Sequence, residues 1–335
     1  MMLKIGILVG RENTFPQAFI DEINRRDVGI VADFVQLDGT QMSEHCEYAV
    51  IVDRISHEIP YYRTFLKNAM LSGTHVINNP FWWSADEKFT GATICGKIGV
   101  AHPRTVALPS HSYIEGIVHP ESLRNLKARI PWEQHLDYVG GFPVILKPSA
   151  GGGFKNVFKL NTMEQLWEAY DQTGTECMML QEFIHWEKYV RCLCIGQQHV
   201  LPIKFDINAP YPHRYFDEPD YMTPAEHERV VSDALKICRA LGYDMNTVEF
   251  ALKDGIPYAI DFTNPAPDMD YWSLKEKFFG WVVNAMADMC IAKAQSGRLD
   301  VGAAHWSRLL LDAGAHAPAP APAKKSASRT KKASR

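Results

Sequence analysis

Between residues 3 and 78 the chain alternates short, near-continuous apolar runs with helix-like stretches, and this alternation constrains the fold more than any other feature. Leu3–Val9, Ile30–Val35, Tyr48–Asp53 and His75–Asn78 read as strands. Phe15–Arg26, with Pro16 in its first turn, and Tyr61–Leu71 read as helices. Strands apolar along their whole length, rather than on alternate residues, are covered on both faces. Strands separated by helices pair in parallel. A small doubly wound α/β lobe is therefore expected over residues 1–79.

The chain has 335 residues, enough for two or three packed subdomains, and no run approaches the roughly 20 apolar residues of a membrane span. The opening MMLKIGILV, which breaks at Gly10-Arg11-Glu12, carries one lysine and is followed by no small-residue cleavage site, so it reads as a buried first strand, and a soluble, cytoplasmic protein is expected. Its seven cysteines are scattered without a C-x-x-C pair, which fits buried thiols better than a zinc site. Net charge is −4, but the last twelve residues hold six Lys or Arg and no acid, leaving a body of about −10. Such a body is a poor nucleic-acid binder. The Ala-Pro-rich stretch from Ala313 and its basic end, residues 313–335, read as a disordered tail: a solubilising extension, or a tether to nucleic acid or an acidic partner.

After Pro80 the texture changes. Ser84–Ile98 reads as a helix, Pro103–Val106 as an extended segment, and 108–130 as loop-rich. Pro131–Val139 reads as a helix ended by Gly140-Gly141, and Phe142–Lys147 as a strand. Val157–Leu160 and Met178–Phe183 are further strands around a helix at Met163–Tyr170. Tyr189–Ile195 and His199–Phe205 form a hairpin around Gly196-Gln197-Gln198. Thr223 is placed to cap a helix over Pro224–Leu241. Thr247–Leu252 and Tyr258–Phe262 flank an Asp254-Gly255 turn, and an aromatic-rich helix, Asp270–Ala294, closes the fold.

Three segments carry chemistry. In GGFPVILKPSAGGGFKNVFKL a strand delivers Lys147 at its end and passes into a loop whose Gly151, Gly152 and Gly153 let the backbone approach an anion closely. The loop is not a Walker A site, and GILVGREN after the first strand is not a dinucleotide fingerprint. In CMMLQEFIHWEKYVRCLCIG an apolar strand runs into Gln181, Glu182 and Ile184, followed by Glu187 and by Arg191 on the next strand. In NTVEFALKDGIPYAIDFTNPAPD, Glu249 and Asp261 lie on adjacent strands with Asn264 just beyond. Two carboxylates and an amide on one sheet face suit Mg²⁺, and acids set among Val, Ile and Phe need a cation or hydrogen-bond partner if covered. Taken singly, each segment has an ordinary explanation: a mobile connector, a strand–turn–strand, a solvated hairpin.

Their order and spacing give more. Over residues 3–295 the sequence resembles the ATP-grasp superfamily. Glu87-Lys88 opens a helix and is followed by GVAHPRT; then come PVILKP with GGG, QEFI, and Glu249 with DGIPYAID. The resemblance implies an ATP-grasp fold, α+β in its ATP-binding part. One subdomain would span residues 80–180, with a glycine lid at 148–156, and a second residues 181–312, with the metal site and closing helix. It implies that Lys88 and Lys147 contact ATP phosphates and that Gly151–Gly153 fold over them. Adenine would sit against the strand end at Gln181, Glu182 and Ile184, with Glu187 on the ribose. Arg191 and Lys204 would stabilise the transferred phosphoryl group and the acyl phosphate. Glu249, Asp261 and Asn264 would hold one or two Mg²⁺, with Mn²⁺ as a substitute.

Three departures stand out. Glu-Lys replaces Asp-Lys at residues 87–88. The two metal acids exchange lengths, Glu249 for Asp and Asp261 for Glu. The family's Asn two residues after the second acid is Thr263 here, with Asn264 one later. On a regular strand Asn264 would point the other way; a bulge or turn at 263–265 would restore it, or Thr263 would serve through its hydroxyl.

The implied reaction is carboxylate–amine (or carboxylate–thiol) ligation through an acyl phosphate, with small-molecule acid and amine substrates, no membrane and no protein nucleophile; a homodimer is left open. Candidate substrate contacts are Arg11, Glu12, Asp53, Arg54, Asp268, Asp270 and the aromatic segment Asn208–Tyr221. A small-molecule kinase and a binding protein with a degenerate ATP site are the competing readings. The acidic body disfavours the former, and the Thr263 shift is what would favour the latter.

Overall fold

The computed structural model describes residues 2–42, 44–81, 87–127, 129–151 and 155–297. Gly152, Gly153, the expected helix start at 84–86 and the tail at 313–335 lie outside them. Three sheets organise the chain.

The first contains β1 (Leu3–Leu8), β2 (Ile30–Phe34), β3 (Val50–Asp53) and β4 (His75–Ile77), all parallel, in the order β2-β1-β3-β4. Helices α1 (Phe15–Arg25) and α2 (Pro60–Leu71) cover opposite faces. Ile5, Ile7, Val50 and Val52 pack with Phe15, Phe19 and Ile23 of α1, while Leu8, Ile51 and Val76 pack with Leu66, Ala69 and Met70 of α2. Alternate residues of each strand thus serve opposite cores, which is why the runs are apolar throughout.

The second sheet follows α3 (Lys88–Lys97) and consists of β5 (Thr105–Ala107), β6 (Val144–Pro148), β7 (Phe158–Leu160) and β8 (Met178–Glu182), in the order β5-β8-β6-β7. Helices α4 (Trp132–Val139) and α5 (Met163–Asp171) pack on one face through Leu136, Val139, Leu166 and Tyr170 against Val144, Leu146, Leu180 and Met178. α4 stops at Gly140, whose φ of 93° is a left-handed conformation that glycine adopts without strain. The opposite face of this sheet carries Lys147, Met179 and Gln181, the residues alternate to the core set.

The third sheet is β9 (Lys188–Ile195), β10 (His199–Phe205), β11 (Tyr215–Phe216), β12 (Met245–Lys253) and β13 (Ile256–Asp261), in the order β11-β10-β9-β12-β13. α6 (Pro224–Leu241) covers one face; Thr223 and Glu226 form a reciprocal capping box at its start. α7 (Tyr271–Ser296) joins this sheet to the first one, because Val282, Met286 and Cys290 share a core with Phe19, Ile23, Leu193 and Met245. Five of the seven cysteines are buried, and Cys192 and Cys194 lie together in the core under α6, their thiols held well above the usual range by burial. Among the described residues no helix is long and apolar enough to cross a membrane.

Candidate active site

The site lies where the face of the second sheet turned away from α4 and α5 meets the end of the third. Lys147 is reached first. Because Val144 and Leu146 point into the α4–α5 core, strand alternation sends Lys147 out of the opposite face, yet it remains buried, at 6% exposure. Its Nζ donates to the Ile260 carbonyl oxygen at 3.2 Å. Burial pushes its ammonium down to about 8; neighbouring Lys88 pushes the same way, and Asp261 and Glu249 oppose the shift.

Lys88, at the start of α3, ties three segments together. Its backbone N–H donates to Ser149 O at 2.7 Å, its Nζ donates to Gly151 O at 2.9 Å, and the same Nζ stands 3.3 Å from Asp261 Oδ1. The loop leaving β6, the helix and the end of β13 are thereby drawn to one point. Lys88, Met179, Gln181, Ile260, Asp261 and Thr263 line a cleft there.

The opposite wall is built on β9 and β12. Arg191, Glu249 and Asp261 lie in one row across three strands, since Arg191 pairs with Glu249 and Glu249 with Asp261. The last pairing requires an irregularity. From Lys253↔Ile256 to Phe250↔Ala259 the hairpin is regular, and then the register shifts by one residue. In an unbroken register Ile260 would face Glu249. The bulge instead places Asp261 there.

Arg191 sits 3.5 Å from Glu249 Oε1 through Nη1, donates from Nη2 to Thr247 Oγ1 at 3.1 Å, and lies 5.2 Å over the Phe205 ring. Tyr189, two residues earlier on the same face, donates its hydroxyl to Glu249 Oε2 at 2.6 Å. Burial opposes the charge on Arg191, but Tyr215, Glu249, Asp261 and Asp268 outweigh it and hold the group protonated. The two carboxylates diverge. Burial and nearby Asp261 push Glu249 upward despite Arg191 and Tyr189, whereas Lys88, Lys147 and Arg191 overcome burial and hold Asp261 low. Burial therefore leaves the Glu249 carboxylate poorly solvated even with a guanidinium beside it. Facing carboxylates of this kind fit a hard divalent cation. Among the described residues no third His, Cys, Asp or Glu joins them.

Of the other expected residues, Lys204 and Asn264 fall outside the cleft, and the remainder are engaged as follows. Lys204 pairs across the sheet with Val190, not Arg191, so its side chain leaves the opposite face. There it meets Glu218 at 2.5 Å and lies 4.9 Å over the Tyr221 ring. Glu182 is engaged by the Arg104 guanidinium at 2.9 and 3.0 Å. Gln181 is buried, its Nε2 donating to Thr105 Oγ1 at 2.9 Å, and Ile184 packs with Tyr189 and Phe205. Glu187 is exposed on the connection to β9. The Asn264 N–H is taken by Asn246 Oδ1 at 2.9 Å, and Asn264 does not line the cleft. Gly151 is the one glycine of its trio within the described residues, with φ of 88°.

Among the candidate substrate contacts, Glu12 and Arg54 form a buried ion pair, and Arg54 also donates to Pro267 O. Asp53 accepts from the Ile55 and Ser56 N–H groups, Arg11 pairs with exposed Glu58, and Asp270 accepts from Thr14. These contacts hold the first lobe together and bind it to the segment before α7. The sequence reading omitted Tyr189 and Thr247, which brace Glu249 and Arg191; their strand parity with those residues was the available signal.

No protein-family signature matches the chain. A D-alanine--D-alanine ligase A of Bacillus cereus is 30% identical over 176 residues, covering 49% of this chain and 57% of the ligase. The mitochondrial pyruvate carboxylase of Rattus norvegicus is 26% identical over 137 residues, 36% of this chain and 12% of the carboxylase. The chain thus spans little more than half the length of the curated ligases it matches. Among solved structures, the ATP complex of the Bacillus anthracis D-alanine--D-alanine ligase superposes with a TM-score of 0.59 at 17% identity, over 88% of this chain and 97% of that one. A RimK-domain ATP-grasp protein of Sphaerobacter thermophilus gives a TM-score of 0.60 at 15% identity, over 86% and 99%.

Proposed function

We propose that this chain, which has the ATP-grasp fold, is an ATP- and Mg²⁺-dependent ligase that activates a carboxylate as an acyl phosphate and joins it to an amine. One observation carries the reading: Lys88 from α3 and Lys147 from β6 meet the end of β13, Lys88 at Asp261 and Lys147 at the Ile260 carbonyl, and Asp261 itself stands opposite the Glu249–Arg191 pair.

In this reading the strand end at Gln181–Ile184 offers backbone groups to the adenine, and the two lysines neutralise the triphosphate. Lys147 is suited to that task because its buried ammonium gains most from an anionic partner. Glu249 and Asp261 would hold the cation, which when bound supplies charge neutralisation to the phosphate oxygens. Arg191, fixed by Glu249 and Thr247, stabilises the group in transfer and then the oxyanion formed as the amine attacks. No protein nucleophile is needed. The catalytic set consists of Lys88, Lys147 and Arg191; Lys204 has no part in it.

Amino acids are the substrates to offer first, because the matched Bacillus enzyme is a D-alanine--D-alanine ligase. The test is a screen of the full chain with Mg-ATP and paired carboxylic acids and amines, reading phosphate release and product mass. ADP formation that needs both partners supports the ligase. Nucleotide binding with no turnover for any pair would leave a binding protein instead.

A further inference from the structure

We infer that the hydroxyl of Thr263, rather than the side chain of Asn264, completes the oxygen set offered by Glu249 and Asp261, and that its ligand is the divalent cation carried with the nucleotide. This rests on the nucleotide site proposed above. It assigns a residue to that site which differs in type from the amide expected there.

Phe262 anchors this segment in the core. Its side chain is 5% exposed and packs with Ile94, Val230 and Phe250 between α3 and α6. It lies so close to α3 that a Cβ on Gly91 would stand 2.7 Å from the ring. Phe262 therefore forms the α3 side of the cleft, whose lining also includes Asp261 and Thr263 beside Lys88 and Gln181, but not Asn264.

Asn246 fixes the next step. It is fully buried, its Nδ2 donates to Phe262 O at 2.8 Å, and its Oδ1 accepts from Asn264 N–H at 2.9 Å. One amide thus clamps the backbone on both sides of Thr263 and determines which side chain faces the cleft. The following residue is held as well, since Pro265 O accepts from Asn78 Nδ2 at 3.5 Å. Asn264 would have to break the Asn246 clamp to take the place of Thr263. A threonine hydroxyl is a neutral, hard oxygen donor, and Ser or Thr hydroxyls hold Mg²⁺ in P-loop enzymes. The hydroxyl, like an amide, is neutral, so the charge compensation of the cation falls to the two carboxylates.

The experiment measures how much Mg²⁺ strengthens binding of a fluorescent nonhydrolysable ATP analogue to the full chain, as the ratio of affinities in Mg²⁺ and in EDTA. Thr263→Val keeps the shape and deletes the hydroxyl; it should lower that ratio about tenfold, as loss of a metal-site partner does. Thr263→Ser should restore it, and Asn264→Ala should leave it within about twofold of the parent. Circular dichroism confirms that each variant is folded. An unchanged ratio in Thr263→Val, or a loss in Asn264→Ala equal to or greater than that in Thr263→Val, overturns the assignment. Asp261→Asn separates the two levels: if it too leaves the ratio unchanged, the cation site itself has been misplaced.

Discussion

Asp261 faces Glu249 because the chain carries one residue more than a regular hairpin would use, and the bulge at Ile260 absorbs it. The same bulge presents the Ile260 carbonyl to Lys147 and Asp261 to Lys88. A single backbone irregularity thus brings both lysines to the acidic pair.

Asp261→Asn therefore removes two things at once, the partner of Lys88 and one carboxylate of the proposed cation site. ADP-forming turnover should fall at least about tenfold, with a higher Mg²⁺ requirement, and Asp261→Glu should recover part of it. Steady-state rates across a Mg²⁺ titration read this out; an unaltered Mg²⁺ requirement in Asp261→Asn would contradict the pairing.

Arg191 and Lys204 provide a direct contrast, because neighbouring strands carry them to opposite faces. Arg191→Ala should cost roughly 10²-fold in turnover, the scale of losing a charge-stabilising donor. Lys204→Ala should remain within about twofold, since its ammonium is engaged with Glu218 away from the cleft. Equal losses in both variants would mean that the register at β9–β10 is not what positions the reaction.

The buried ammonium of Lys147 ties nucleotide affinity to pH. In the folded chain it loses its proton at about 8, below the ordinary 10.5 it keeps when unfolded. Between these values the unfolded chain binds more protons, so stability of the nucleotide-free protein from this group rises with pH. Over the same interval the neutral amine no longer pairs with phosphate, so affinity for an ATP analogue should fall above about pH 8. Lys147→Arg should remove that alkaline limb, because guanidinium stays charged. Titrations of analogue affinity from pH 6.5 to 9.5, in both proteins, test it.

The Glu12–Arg54 pair makes a purely structural prediction. Arg54 is 3% exposed and is also bonded to Pro267 O, so removing its carboxylate partner strands a buried cation. Glu12→Ala should destabilise the protein by roughly 3–5 kcal/mol in urea unfolding while leaving analogue affinity unchanged at low denaturant. A loss of affinity without loss of stability would return Glu12 to the site.

How much of this was legible in the sequence differs from residue to residue. The start of the helix at Pro224–Leu241 was readable because Thr223 and Pro224 act locally. The doubly wound lobe was readable because two-sided burial leaves an apolar run. Lys147 was readable as a residue delivered by a strand. Lys204 was also within reach of parity: a three-residue turn at 196–198 closes on Ile195↔His199, which already sets Arg191 against Ile203. The bulge at Ile260 left no such trace, since nothing local distinguishes a bulged β13 from a regular one. The role of Asn246 was hidden for another reason. Its importance comes from long-range bonds to Phe262 and Asn264, which only the folded sheet brings within reach.

The central claim is that Lys88, Lys147 and the Glu249–Asp261 pair grip one nucleotide between two sheets. Calorimetric titration of the full chain with a nonhydrolysable ATP analogue and Mg²⁺, repeated on Lys147→Ala, tests it most directly. One site per chain is expected, with at least tenfold weaker binding in a Lys147→Ala variant that remains folded. Equal affinity in both proteins, or no binding by either, would contradict it.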